Sequence, residues 1–444
     1  MRLHRRKLII AASVGAAVTA AFGHSYGPPP RVTGAPGDNP KACTQCHADG
    51  ALNGFNGSVS IVLQSGAVYI PGVKQRITVQ VADPAQQRWG FELTARLNSN
   101  PSSGQAGQLI PIDNMTQVIC EDNGPEPCTS GVSFIQHTTA GTRNGTKNGV
   151  SFQFDWVPPA TNAGSITMYV AGNAANGNSS FTGDHIYTSS IQLDPLTPAA
   201  PTTAAANLVS AATLQAGPVA PNSWVTVFGT NLAVTTRSWT ADDFIDGGLP
   251  VSLDGVSVVL TVGGAPRFAY VGYVSPTQVN FLMPSDAAAT AYQVQIKNPA
   301  GLTPQIPMTV QANAGQMLTL DGKYVAGAHA NGTLVGKSGL ISSTPTKPAA
   351  PGETISIYAT GCGSTSPALI SGQVPTQALT LATLPQATIG GVTANVVSAS
   401  VVPGSPGMYQ INVQVPQSVP TGDQPVVFQL GTTSTASALL TVQN

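Results

Sequence analysis

The sequence predicts an all-β chain of about three sandwich domains, and three observations predict it. Apolar residues recur with period two between turn-rich segments, as in Val59, Ile61, Leu63 and Ile77, Val79, Val81. No helical pattern of useful length interrupts them. Only 8% of the 444 residues are charged, while Gly (47) and Pro (36) are abundant and apolar content is 42%. Such a chain has ample material for cores and many turns, unlike a disordered one. The third observation is an internal repeat covering more than the last 200 residues, described below.

Taken in order, residues 1–23 read as a secretory signal peptide. Arg2, Arg5, Arg6 and Lys7 precede an apolar run from Leu8 to Phe22, with cleavage expected after Gly23. The run is shorter than the roughly 20 residues of a membrane span. The mature protein is therefore expected to be secreted, periplasmic or held at the cell surface. Residues 24–56 form a Pro/Gly-rich arm without periodicity, expected to be an extended, flexible loop. Residues 57–192 carry the alternation of a β-sandwich with one face of each sheet buried: Phe91, Leu93, Ala95, then Phe152, Phe154, Trp156, then Ile166, Met168, Val170. A Pro/Ala/Thr linker spans 193–207.

Beyond it lie two copies of one unit, 208–313 and 347–444, joined by a connector at 314–346. GPVAPNSWVTVFGTNL matches KPAAPGETISIYATGC, pairing Val225 with Ile355, Val227 with Ile357 and Phe228 with Tyr358. SPTQVNFLMP matches GMYQINVQVP, pairing Gln278-Val279-Asn280 with Gln410-Ile411-Asn412. Each copy has the length of an immunoglobulin-like sandwich.

These residues carry two resemblances. NLVSAATLQAGPVAPNSWVTVFGTNL and SPTQVNFLMP resemble the C-terminal domain of many secreted acidobacterial proteins, each copy being similar to an IPT/TIG-type immunoglobulin-like domain. The likeness implies a modular extracellular appendage with no known chemistry. TGAPGDNPKACTQCH, GFELTA, FIQHT, FDWVPP, YVAGNAANG and GDHIYTSS resemble the choice-of-anchor V domain, a Reelin-like extracellular domain, over roughly residues 32–192.

The chemistry-bearing motif is Cys43-Thr-Gln-Cys46-His47. Two cysteines three apart can add to the two vinyl groups of a c-type haem, and the adjacent His can ligate the iron on its proximal side. His137 and His185 are candidate distal ligands, with Met115 and Met168 behind them; Met168 alternates within a strand and reads as core. Two alternatives stay open. Cys43 and Cys46 could form a structural disulfide, or two of His47, His137 and His185 could complete a zinc site with them. Cleavage after Gly23 would also expose His24, which with a second His could chelate copper. Cys120 and Cys128 flank EDNGPEP and read as a local disulfide; Cys362 reads as a buried thiol.

Hydrolase and phosphate-binding motifs are missing from the sequence, so no catalytic residue is assigned. Asp184 beside His185 could form an acid–base pair, or simply a Gly-Asp turn before a strand. Trp89 and Trp239 could bind sugars if exposed, or pack in the core. With a net charge of −1, nothing in the chain calls for a nucleic-acid partner. The leading expectation is an exported protein with covalent haem that transfers electrons to a redox partner or senses a ligand. The alternative is a non-enzymatic surface or adhesion protein that binds glycan or protein.

Overall fold

The computed structural model describes residues 24–443. The signal-peptide reading falls on residues 1–23, outside the described residues. No helix among the described residues is long and apolar enough to cross a membrane. The chain is all-β, relieved only by short 3-10 turns.

Two compact units result. The first comprises the described residues up to Val62, together with Ile77–Asp155 and Ile166–Gln192. The second comprises Leu63–Arg76, Trp156–Ser165 and the chain from Leu193 onward. The first ten strands are β1 (Ser58–Leu63), β2 (Val68–Tyr69), β3 (Gln75–Asp83), β4 (Arg88–Leu97), β5 (Gln108–Pro111), β6 (Thr116–Cys120), β7 (Ser133–His137), β8 (Asn148–Val157), β9 (Ile166–Ala175) and β10 (His185–Pro195). They form two sheets, ordered β1-β3-β8-β5 and β2-β10-β9-β4-β7-β6. The predicted alternation points Val79, Val81, Phe91, Leu93, Phe152, Phe154, Met168 and Val170 into a fully buried core. Phe91 packs on Phe152 with ring centroids 4.5 Å apart.

One expectation fails here in an informative way. Strand β4 is buried on both faces, from Trp89 to Arg96. Its outward residues Glu92 and Arg96 bond the arm, which is docked rather than free. The Val32 N–H donates to Glu92 Oε2 (2.8 Å), and Arg96 pairs with Asp38 (2.9 Å) with both side chains fully buried. Arg31 reaches Asp38 (3.2 Å) and Glu121 (Nε to Oε1, 3.0 Å). The Gln117 amide bonds the Tyr26 carbonyl. A charge buried without a partner is costly, so Arg96 and Asp38 require one another.

The second unit holds the two repeat copies, each with its own hydrophobic cluster. In the first, Trp224–Phe228 pairs antiparallel with Gln278–Leu282; in the second, Thr354–Thr360 pairs with Tyr409–Gln414. The segment 314–346, expected to belong to neither copy, is woven into the second. Gln316–Met317 and Gly327–Ala328 both pair with Thr354–Thr360. Strands of two residues give no periodic signal, which is why they escaped the sequence pattern.

Candidate functional site

Cys43, Cys46 and His47 lie on one 3-10 turn, Ala42–Gln45, and its exit. The N–H groups of Cys46 and His47 both point to the Cys43 carbonyl, at 3.2 and 3.1 Å. Against the disulfide alternative, both thiols are free. Cys46 is exposed, whereas Cys43 directs its Sγ toward the Val32 carbonyl (3.9 Å). Burial above all pushes the Cys43 thiol pKa upward.

His47 is held from two sides. Its Nδ1 lies 2.7 Å from Asp184 Oδ2, and its Nε2 lies 3.3 Å from the Asn173 amide nitrogen. The Phe181 ring meets it edge-on at 5.1 Å. A carboxylate can only accept, so the proton sits on Nδ1 and Nε2 keeps its lone pair. Sequence pairing of Asp184 with His185 gives way to this arrangement, because consecutive residues entering a strand point to opposite sides. His185 instead bonds Asp83 (2.6 Å) and stacks on Phe55 at 3.6 Å.

His137 ends β7. Its Nδ1 sits against the Phe91 main chain, 3.1 Å from N and 3.2 Å from O. Burial pushes its pKa down to about 4, which keeps the imidazole neutral in the physiological range. The ring occupies the space over Gly90: a Cβ at that position would lie 2.7 Å from His137 Cε1. Glycine is required there for close approach, not for an unusual φ.

The turn, His47 and His137 all border one cavity of about 390 Å³. That is within the range of small-molecule and cofactor sites, ~300–1,000 Å³. Pro28, Pro29, Val32, Ala42 and Phe91 supply apolar walls, and Arg88, Asn178 and Ser180 are among its polar residues. Asn173, which also borders it, keeps a buried Oδ1 without a hydrogen-bond partner. Two free thiols, an imidazole whose Nε2 lone pair meets only the Asn173 amide, and a second neutral imidazole suit a covalent haem chemically. The sequence marked Cys43, Cys46, His47 and His137. It gave no sign of Asp184 as partner to His47, of Asn173 or of Gly90, which depend on contacts across the sheet.

The remaining candidates fall elsewhere. His185, Met115 and Met168 do not line the cavity, and Met168 is core. Among the described residues no group of three or more His, Cys, Asp or Glu is placed to hold a metal ion, so the zinc alternative lacks a ligand set. Cys120 and Cys128 form the expected disulfide. Cys362 is a buried thiol, pushed up to about 12 by burial. Trp89 is 1% exposed and donates to the Thr146 carbonyl (2.9 Å), and Trp239 packs between Trp224 and Phe244, so neither stands free for sugar binding.

The chain matches no family model and no curated protein. Among solved structures it is similar to a cohesin module of a family 33 glycoside hydrolase from Clostridium perfringens. That match is 11% identical over 31% of this chain and 96% of that chain, with TM-score 0.22. It is also similar to the major pilin subunit of Bacillus cereus, 11% identical over 57% and 67% of the two chains, with TM-score 0.19. A third is red sea bream transglutaminase, 12% identical over 58% and 31%, with TM-score 0.16.

Proposed function

We propose that the first unit is a mono-haem c-type electron-transfer module that works outside the cytoplasm, carried on a scaffold of two immunoglobulin-like sandwiches. The observation that carries this reading is convergence: Cys43, Cys46, His47 and His137 all border one apolar-walled cavity. Cys43 and Cys46 would hold the group covalently, each thiol adding S–H across one vinyl double bond without need of an oxidant. His47 would hold the iron through Nε2, and His137 borders the same cavity with a neutral imidazole. Pro28, Val32 and Phe91 exclude water from the site. A haem bound there supplies one-electron exchange at its iron. A second imidazole at the cavity would favour electron transfer over ligand sensing.

A second reading, a surface or adhesion protein that binds glycan or protein, draws on the C-terminal pair. There Trp224 Nε1 donates to the Pro406 carbonyl (2.8 Å) and Asn222 Nδ2 to the Tyr409 hydroxyl (3.1 Å), fastening one copy to the other.

A pyridine haemochrome spectrum separates the two. Protein exported from a host with c-type maturation machinery is expected to show a c-type α-band that survives denaturation. The band is expected to vanish in the Cys43→Ala/Cys46→Ala variant. Colourless wild-type protein would overturn the haem reading and leave adhesion standing.

A further inference from the structure

The pairing of His47 with Asp184 carries an inference beyond haem attachment, and it rests on the haem reading. We infer that Asp184 is a positioning residue that turns His47 into a strongly donating axial ligand, making the module a low-potential electron donor. Its partner is then a one-electron acceptor of higher potential.

The geometry leaves the carboxylate little freedom. The Asp184 side chain is 2% exposed. One oxygen faces His47 Nδ1 at 2.7 Å, while the other accepts the Asn176 N–H at 3.2 Å. The loop that delivers it is braced from within. Asn176 Nδ2 donates to the Thr182 carbonyl (2.9 Å), and the Gly183 N–H donates to Asp49 (2.8 Å). Asp49 lies two residues past His47, so the turn that bears the cysteines and the loop that bears Asp184 are tied at two points. The ring is thereby fixed in rotation as well as in tautomer, with Nε2 against the amide of Asn173, which also borders the cavity.

A carboxylate drawing on Nδ1–H gives the ring partial imidazolate character and raises the basicity of Nε2. A stronger donor stabilises the ferric over the ferrous state. A buried anion beside the site adds to this in a low-dielectric surrounding. Both effects lower the potential.

Spectroelectrochemistry of the haem-loaded wild type, Asp184→Asn and Asp184→Glu tests the inference. At a fixed mediator potential the Asn variant is expected to show a ferrous-to-ferric ratio roughly tenfold higher, about 59 mV for one electron. The Glu variant is expected to return toward wild type, which a merely structural role would not produce. Haem present with equal potentials in all three proteins overturns this inference alone, as does an equal rise in both variants. Wild-type protein without haem overturns it together with the function proposed above. Should the Asn variant not fold, proton NMR of the reduced wild type serves instead. A slowly exchanging His47 Nδ1–H is expected, and exchange at the solvent rate would contradict the bond.

Discussion

Asn173 and Gly90 face each other across β9 and β4, and each supports one imidazole of the candidate site. The pair shows what individual residues contribute. Asn173 donates toward His47 Nε2, and Gly90 contributes only the absence of a side chain. Neither role is legible in sequence, because an Asn in a strand and a Gly before a Phe are ordinary. The Asp184–His47 contact joins residues 137 apart. By contrast Cys43, Cys46 and His47 were legible because their spacing is itself the chemistry. Glu92 offers the sharpest test at this scale. It is fully buried, its Oε2 accepts the Val32 N–H, and its Oε1 has no partner. Burial raises its pKa well above 4.5. The folded state therefore holds the proton more tightly than the unfolded chain. The resulting stability is complete below about pH 4.5 and is lost as pH rises through the folded pKa. Glu92→Gln removes this loss. Thermal melts are expected to place the variant above wild type at pH 7 and above, with the two converging near pH 4.5. Parallel curves across that range would show that Glu92 is not protonated when the arm is docked.

At the scale of elements, period-two alternation identified most long strands, since one face of each meets a core. It could not anticipate that β4 is covered on its other face as well. The residues that dock the arm, Arg31, Val32 and Asp38, find their partners 58 to 90 positions away. The repeat was legible, and the structure gives it physical content. In the first copy, Asn280 Oδ1 accepts from Thr226 Oγ1 (2.9 Å) and Gln278 Nε2 (2.8 Å). In the second, Asn412 Oδ1 accepts from Ser356 Oγ (2.8 Å) and Gln410 Nε2 (2.9 Å). The same three-residue network crosses the same strand pair, and a bulge follows in each, at Val271/Tyr273 and Val396/Ser398. Gln-x-Asn thus survives in both copies as a side-chain lock on strand register. Asn280→Ala and Asn412→Ala are each expected to cost about 1 kcal/mol, by removing the acceptor shared by two side-chain donors. Chemical denaturation of each variant checks this. Sensitivity at one position but not the other would show that the two locks are not equivalent.

The whole molecule divides its labour between two compact units. The first carries every residue that borders the candidate cavity, and the second carries the two repeats. The all-β class was legible from composition and periodicity together, because few charges and many turn residues leave little else to build. The cavity was not, since it forms only when the arm closes over a sheet whose strands lie far along the chain, the Asp184 partner of His47 being 137 residues away. The central claim is that Cys43 and Cys46 are bonded to haem. Mass spectrometry of the exported protein after tryptic cleavage addresses it without spectral inference. Cleavage after Lys41 and Lys74 releases one peptide containing Cys43, Cys46 and His47. That peptide is expected to carry a single haem bound through both sulfurs. The same peptide with two unmodified thiols, or two hydrogens lighter as a disulfide, would contradict the account.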